Sequence, residues 1–414
     1  MIQSLRHETA PRIACYVNTS TLPASWRWRI PALGLAQIIA WGSMFYAIAV
    51  MAGDIARELE LASSTVFGAY SLALVISGLV APLSGRLIDA GHCRAVLGGS
   101  SLLGAGGFAL LALAEGGGML FLAWAILGLA MGTGLYDAAF GVLHRTVPAA
   151  GYRRAVTALT LFGGFASTVF WPLTRLLMEQ GGWRHAAWIF VSLHILCALP
   201  LYLAAVPRVE RLPLQTHASR ASGPALSALG RRRFRWLAAA LALASFVVAV
   251  LSAHLITLLT LGGLPGAQAI LVGTLFGPTQ VLARMIEYVV ARRVKAVTVG
   301  SFAFAALVVA QLALGLSADT LLLPVLFALL YGASNGIMTI IRGTVPAQLF
   351  ADVSGFGALL GRLALPSFIA KAGAPFVFAV LLDQGLSRVM GCSLLLCLAL
   401  LAAACYERAR RLQR

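Results

Sequence analysis

Long apolar runs separated by short polar stretches dominate the sequence. A membrane-spanning helix needs about 20 mostly apolar residues. Runs of about that length lie at 30–52, 64–84, 95–114, 119–143, 155–178, 186–206, 236–261, 266–290, 296–317, 320–341, 354–381 and 386–406. Their many Gly and Ala residues suit close helix packing in lipid. The pattern predicts an all-α membrane protein with twelve transmembrane helices.

The composition excludes an ordinary soluble domain. Of the 414 residues, 60% are hydrophobic and only 11% are charged. Soluble domains have about half apolar and about one quarter charged residues. The charges are too few to cover a water-exposed surface, so we expect the lipid bilayer to cover most of it.

The net charge of +17 has a pattern along the chain that predicts orientation. Most Lys and Arg residues lie in the two tails, in the stretch 207–235 and in connections on the same side of the membrane. Four lie inside apolar runs: Arg175, Arg284, Arg362 and Lys371. Under the positive-inside rule, both termini are cytoplasmic in a bacterial-type inner membrane. Short basic clusters between apolar runs also argue against a nucleic-acid partner.

Several short matches indicate an internal repeat. The tetrapeptide TVPA occurs at 146–149 and again at 344–347, and the same offset aligns 85–89 with 283–287. The pattern predicts two parallel-repeat six-helix bundles. The predicted units are an N-terminal tail at 1–29, bundles at 30–206 and 236–406, a basic cytoplasmic linker at 207–235 and a C-terminal tail at 407–414.

The connection between the second and third apolar runs carries a family motif. It resembles the major facilitator signature G-x-L-x-D-R-x-G-R-[RK], because Gly85, Asp89 and Arg94 stand at the matching positions. Ala90 and His92 replace an Arg and a Gly of that signature. The resemblance implies two helix bundles around a central cavity that opens alternately to each side. It also implies a gating role for Gly85, Asp89 and Arg94.

Within that superfamily the chain is similar to the monocarboxylate and oxalate/formate transporters. The similarity rests on a glycine-rich segment at 128–136, the GWR turn at 182–184, the AHL-x-x-LL stretch at 253–259 and Arg284 thirty residues beyond His254. Monocarboxylate transporters have an Asp one turn before this Arg, where the present chain has Gln280. The resemblance implies a small organic anion as substrate.

Ionisable residues inside the runs are the main candidates for substrate binding or ion coupling. Burying such a side chain in a membrane helix costs about 2.5–3.5 kcal/mol or more, so it usually faces an interior cavity. Asp137 is predicted to carry a proton, to bind a cation or to form an ion pair that holds helices together. Arg284 and Glu287 are three residues apart and can pair on one helix face. Arg362 and Lys371 are nine apart and share no face, so one can line the cavity while the other snorkels.

Other polar side chains could line the cavity or serve packing alone. Arg284 can form a bidentate contact with a carboxylate, which favours substrate binding, whereas a structural pair at the gate is favoured for Glu287. His254 could transfer protons or form a structural hydrogen bond. The remaining candidates are Tyr46, Tyr136 and Asn335, and for the tyrosines packing is the alternative.

No motif indicates an enzyme. There is no P-loop and no HExxH, and the six cysteines form no CxxC pair, so we expect neither cofactor nor metal. We predict a monomeric secondary transporter that moves a small organic anion, such as a monocarboxylate, with or against protons. Three alternatives stay open. They are export of a neutral or cationic compound, export of trivalent arsenicals through thiols, and a membrane sensor that binds without transporting.

Overall fold

The computed structural model describes residues 25–208, 226–291, 293–317 and 320–412. Most of the predicted N-terminal tail and of the linker 207–235 therefore lies outside the described residues, as does Arg292. The described residues form sixteen α-helices and two π-helical segments. The α-helices are α1 Trp26–Trp41, α2 Ile48–Glu58, α3 Ser63–Asp89, α4 Cys93–Ala112, α5 Gly117–Gly134, α6 Tyr136–Thr146, α7 Ala149–Gly164, α8 Ala166–Leu193, α9 Leu199–Ala205, α10 Ala228–Thr260, α11 Gly266–Thr274, α12 Phe276–Val290, α13 Ala296–Gly315, α14 Leu322–Leu349, α15 Phe356–Asp383 and α16 Arg388–Arg411.

The apolar runs of the sequence become long helices. Within the described residues, nine helical segments are long and apolar enough to cross a membrane. The number is ten if α1 and α2, bent by 41° at the π-helical segment Gly42–Tyr46, form one span. One of the nine, Ala149–Ala205, is 57 residues long. The all-α prediction is confirmed, and the predicted count of twelve is consistent with these segments.

Local breaks divide several of the long helices. Leu135 has an extended backbone between α5 and α6. Within α8, Gly181 and Gly182 leave the helical conformation, and Gly182 has a φ of +74°, which glycine adopts without steric cost. The second π-helical segment, His194–Ala198, follows α8, and the His194 ring lies 2.9 Å from the Ser43 hydroxyl of the first one. These breaks coincide with polar or glycine-rich points of the sequence.

Helices α1–α9, the N-terminal half, meet α10–α16, the C-terminal half, along a limited set of contacts. The main ones are α3 with α15, α6 with α14 and α15, and α7 with α12 and α14. By contrast, the principal contacts of α8 are with N-terminal helices and those of α11 with C-terminal helices. The halves therefore pack together most closely at the end of the bundle where α3 ends and α15 begins. We call this end the Asp89 end.

Backbone contact between glycines makes this close packing achievable. Gly85 in α3 faces Gly357 in α15, and a Cβ on Gly85 would overlap the backbone of Gly357. Further along, a Cβ on Gly361 would overlap the backbone of Ala81. Small residues at such crossings let two helices approach closely in lipid. The α3–α15 contact therefore depends on these glycines.

Candidate functional site

Asp89 links the two halves at the Asp89 end. Its Oδ1 accepts a hydrogen bond from the Gly357 amide and its Oδ2 one from the Ala358 amide, both at 2.8 Å. These amides belong to the first turn of α15, whose N–H groups have no partner within the helix. A carboxylate there also interacts favourably with the helix dipole. Asp89 therefore acts as an anionic cap that one half provides for a helix of the other.

Arg94 does not take part in this contact. Its guanidinium donates a hydrogen bond to the backbone oxygen of Leu203, which lies in the same half. The nearby cation that interacts electrostatically with Asp89 is Arg145. The prediction that Arg94 meets Asp89 at the gate is wrong, because Arg94 points along α4 toward α9.

Glu287 forms a second link between the halves. Its carboxylate accepts hydrogen bonds from Arg153 Nε at 2.8 Å and from the Thr157 hydroxyl at 2.6 Å. Arg153 also donates to the backbone oxygen of Ala291 at 3.1 Å. The side chain of Glu287 is 2% exposed and that of Arg153 is 17% exposed, so the carboxylate of this ion pair is buried. The sequence suggested that Glu287 pairs with Arg284, but its partner is Arg153 of the other half.

Arg284 is buried between the halves and its described partners are neutral. Its guanidinium donates to the backbone oxygens of Thr160 at 3.0 Å and Gly336 at 3.3 Å. Longer contacts, each 3.4 Å, reach Gln280 Oε1 and the Thr339 hydroxyl. Arg284 is 4% exposed, and no carboxylate of the described residues lies within ion-pair distance. A buried guanidinium without a counter-ion has a strong need for an anion.

Aromatic side chains surround this guanidinium on the N-terminal side. The Tyr136 hydroxyl contacts the same Thr160 oxygen at 3.5 Å. The ring of Trp41 lies 4.9 Å from that of Tyr136 and 6.3 Å from that of Tyr46. Both tyrosines interact electrostatically with Arg284. Three predicted candidates, Tyr46, Tyr136 and Arg284, are therefore close together.

The π-helical segment Gly42–Tyr46 positions part of this aromatic group. Here the amide of Ala47 donates to the oxygen of Gly42, five residues earlier, at 2.9 Å. The wider turn holds an additional residue, and such segments often occur at functional sites. The indole of Trp171 in α8 donates to the Tyr46 oxygen at 3.2 Å, which fixes the end of the segment.

A second charged group, formed by Asp137, Arg342 and Lys371, lies beside the first. The carboxylate of Asp137 in α6 lies 3.3 Å from Arg342 Nη2 in α14, so this ion pair joins the two halves. Lys371 in α15 interacts electrostatically with both groups. The ring of Phe368 lies 5.9 Å from the Arg342 guanidinium and 5.7 Å from the Lys371 ammonium. Arg342 is thus paired with Asp137, and Lys371 lies near the pair without a direct contact to the carboxylate.

Helix α14 connects the two groups. Gly336 and Thr339 contact Arg284, and Arg342 lies one turn further along. Six residues of helix, from 336 to 342, span about 9 Å. Asn335 is half-buried and lies one turn before Thr339. Its backbone oxygen accepts a hydrogen bond from the Thr339 hydroxyl. The charged residues therefore form one continuous strip between α6 and α14. We call it the interior strip.

Arg342 was not predicted as a site residue. The tenth apolar run was expected to end at 341, which placed Arg342 in a connection. Instead, α14 continues through Pro346 to Leu349, so Arg342 lies two turns inside the helix. Its only sequence signal was that the residues following it, 343–345, carry no charge.

Two predicted candidates lie outside the interior strip. Arg362 is exposed on α15 whereas Lys371 is half-buried, so of these two residues Lys371 is the one that belongs to the strip. His254 Nε2 lies 3.0 Å from the backbone oxygen of Pro375, and its ring is 5.3 Å from that of Phe378. Both contacts are within the C-terminal half, between α10 and α15.

The chain thus has two helical halves with a charged strip between them. The chain matches the family model of the Major Facilitator Superfamily over residues 33–368, and it belongs to that family. No curated protein matches the chain. The family match indicates a transporter and no catalytic family.

Solved structures of transporters share the fold. The human organic anion transporter MFSD10 (TETRAN) matches with a TM-score of 0.74 and 17% identity, over 93% of this chain and 100% of that one. A bacterial homologue of the iron transporter ferroportin, in an outward-facing state, matches with a TM-score of 0.70 and 16% identity, over 92% and 99%. The E. coli fucose:proton symporter FucP matches with a TM-score of 0.66 and 16% identity, over 94% and 99%. These similarities establish the fold and leave the substrate open.

Proposed function

We propose that this protein is a secondary active transporter of a small organic anion that works by alternating access. The observation that carries this proposal is the excess of cations in the interior strip. Arg284, Arg342 and Lys371 lie between the halves, and among the described residues of the strip only Asp137 is anionic. Unpaired buried cations are costly and persist in transporters where a ligand offsets the cost.

Arg284 is the proposed anchor for the substrate carboxylate. All four of its hydrogen-bond partners are neutral, and two of them are at 3.4 Å, which is long for a strong bond. Both long contacts are to Nη2, so a carboxylate that replaced Gln280 and Thr339 there, and Gly336 at Nε, would gain two parallel, charge-assisted hydrogen bonds. The aromatic rings of Trp41, Tyr46 and Tyr136 would enclose the apolar part of a small acid. This chemistry agrees with a substrate of the monocarboxylate or oxalate/formate type.

The proposed topology has twelve spans in two six-helix bundles with both termini in the cytoplasm of a bacterial-type cell. Support comes from the 57-residue segment Ala149–Ala205, which is long enough for two crossings divided at Gly181 and Gly182. The short helices α11 and α12 would together form one more. The charge pattern of the sequence then makes the Asp89 end cytoplasmic. The conformation would be closed to the cytoplasm, with the interior strip reached from outside.

The alternatives receive less support. Asp137 is already paired with Arg342, so it is a poor partner for a cationic substrate. The described cysteines are free and distributed over both halves, which disfavours a thiol site for arsenicals. A sensor that binds without transporting would share the same interior strip. Accumulation of a labelled solute in vesicles separates transport from sensing.

The substitution Arg284→Lys tests the anchor. Lysine keeps the positive charge but loses the bidentate geometry. We expect the apparent affinity for a transported carboxylate to fall at least about tenfold, which is about 1.4 kcal/mol. Uptake of labelled lactate and oxalate into proteoliposomes measures the change.

The matched control for this experiment is Arg362→Lys, which makes the same exchange on the exposed face of α15. It should transport like the wild type. Equal affinities of Arg284→Lys and wild-type protein for the same anion would reduce Arg284 to a structural residue. That result would remove the main support for an anionic substrate.

A further inference from the structure

The structure has a cavity of about 380 Å³ at the Asp89 end, apart from the interior strip. Helix α7 of the N-terminal half lines one side of it. Helix α14 and the connection between α12 and α13, both of the C-terminal half, line the other side. Sites for small molecules have volumes of about 300–1,000 Å³. The cavity can therefore hold a small ligand or the headgroup of a lipid.

Two cations in the wall of this cavity lack a counter-ion. Arg293 and Lys295 are exposed in the connection between α12 and α13. Among the described residues, neither lies within ion-pair distance of a carboxylate. The third basic residue of the wall, Arg153, is already bound to Glu287 at 2.7 Å. The described residues that line the cavity include no acid, so the charges of Arg293 and Lys295 are unbalanced there.

The backbone that carries these two cations is held in place from both sides. From α7, the Arg153 guanidinium donates to the backbone oxygens of Val294 and, at 3.1 Å, of Ala291. From α14, Gln348 Oε1 accepts a hydrogen bond from the Val297 amide, in the first turn of α13, at 3.2 Å. A wall that is ordered before a ligand arrives lowers the entropic cost of binding.

We propose that this cavity binds a phosphate monoester and that the bound phosphate holds the Asp89 end closed. A phosphate monoester has a charge of about −1.5 to −2 at pH 7, which matches the two unbalanced cations. Arginine and lysine both bind phosphate oxygens through charge-assisted hydrogen bonds. The phosphate group can belong to a soluble metabolite or to the headgroup of a lipid such as phosphatidic acid. A neutral or cationic ligand would leave both cations unbalanced.

Occupation of the cavity favours one conformation because its wall comes from both halves. Ala149 and Tyr152 lie in α7, whereas Thr344 and Gln348 lie in α14. Separation of α7 from α14 would open the Asp89 end and divide the cavity. A ligand that binds only the undivided cavity stabilises the closed conformation by mass action. This closing effect rests on the proposed transport by alternating access, whereas the binding itself does not.

Thermal unfolding of the purified protein tests the binding. In detergent, glycerol phosphate should raise the unfolding midpoint more than potassium chloride at the same ionic strength, which controls for screening. Nanodiscs of phosphatidylcholine, with and without phosphatidic acid, form the second arm. Stabilisation by glycerol phosphate indicates a soluble ligand, and stabilisation by phosphatidic acid alone indicates a lipid. If neither stabilises the wild-type protein, the proposal is wrong.

Substitution of the two cations locates the site. Arg293→Gln and Lys295→Gln should each weaken binding of the stabilising phosphate at least about tenfold, because each loses a charge-assisted contact. Both residues are exposed, so both variants should fold. Arg411→Gln, at the exposed end of α16, is the matched control and should bind like the wild type. Equal affinities of all four proteins would mean an adventitious ion only and would overturn the proposal.

The substitution Gln348→Glu tests the same site without removing a cation. The new carboxylate would still accept the Val297 amide and would place an anion in the wall of the cavity. We expect the unfolding midpoint to rise in the absence of phosphate, and added phosphate to raise it little further. Undiminished phosphate binding by this variant would show that phosphate binds elsewhere.

A cysteine introduced near the start of α15 reports the closing effect. Its labelling by a water-soluble thiol reagent, above that of the parent protein, should slow when phosphate binds and should not change in Lys295→Gln. Unchanged labelling despite phosphate binding would overturn the closing effect. A wild-type protein that binds phosphate but neither lactate nor oxalate would overturn the proposed substrate and leave this site standing.

Discussion

The two contacts that close the Asp89 end occupy positions that the predicted repeat makes equivalent, but they use different chemistry. Asp89 and Glu287 are 198 residues apart, the offset that also relates the two TVPA sequences. Asp89 binds backbone amides of Gly357 and Ala358, whereas Glu287 binds the side chains of Arg153 and Thr157. Both halves have an acidic residue at this point, but the groups that bind the two carboxylates differ.

The difference follows from what stands opposite the acid. Asp89 faces Gly357, whereas Glu287 faces Arg153. A glycine lets the α3 and α15 backbones touch, so the carboxylate reaches amides directly. An arginine keeps α7 and α12 further apart and reaches the carboxylate itself. One contact therefore depends on close backbone approach and the other on a buried ion pair, and the two should fail in different ways.

The largest effect is expected from Arg153→Ala. It leaves Glu287 buried without its counter-ion, which typically costs about 3–5 kcal/mol. The free energy of unfolding of the purified protein, or its thermal midpoint, should fall accordingly. Adding Glu287→Gln should restore much of the loss, because the unpaired charge is gone. The exposed pair Arg57–Asp54 offers a control, since Arg57→Ala should change stability little. Equal stability of Arg153→Ala and wild-type protein would show that Glu287 is not buried as described.

Gly85→Ala should affect closure more than folding. The added methyl group overlaps the Gly357 backbone only when α3 and α15 are in contact. We expect transport to fall at least about tenfold, equivalent to about 1.4 kcal/mol against the closed conformation. Thiol labelling of a cysteine introduced near the start of α15 would report increased access. Gly99→Ala in α4 is the matched control, because nothing lies within 4 Å of its added methyl group. Wild-type uptake in Gly85→Ala would contradict the close glycine contact.

The smallest of the three effects is expected from Asp89→Asn. The amide can still accept one hydrogen bond from the α15 amides but loses the charge that the helix N-terminus favours, typically about 0.3–1 kcal/mol. Transport should slow by a few fold while the protein remains inserted and folded. Uptake rates normalised to the amount of purified protein measure the change. Normal kinetics in a well-expressed Asp89→Asn variant would remove the gating role of this residue.

The helices were predictable because length and apolarity decide them. Runs such as 64–84 and 296–317 contain no charge, and lipid permits only a helix there. The break in α8 at Gly181 and Gly182 was also foreseeable from polar residues around it. The end of α14 was not, because Pro346 normally suggests a helix boundary, yet this helix continues to Leu349.

The interior strip was predictable only in part. Asp137, Arg284 and Lys371 stood out because ionisable residues are rare in apolar runs. The pairing of Arg153 with Glu287 did not, since these two residues are 134 apart and only the tertiary fold joins them. The exposure of Arg362 was equally hidden. Helices that are apolar on every side give little indication of which face lies inward.

The π-helical segment Gly42–Tyr46 has a consequence for how this region can tolerate changes in length. It accommodates one residue more than the flanking α-helix would, so deleting a single residue there could be absorbed by conversion to regular helix. Each α-helical residue corresponds to a rotation of about 100°. A deletion within regular α2 would turn the following side chains by that angle, whereas a deletion within Gly42–Tyr46 would leave the faces of α2 in place relative to α1. In evolutionary comparisons, an alignment gap at this point would mark relatives that have a regular helix here and keep the same inward faces.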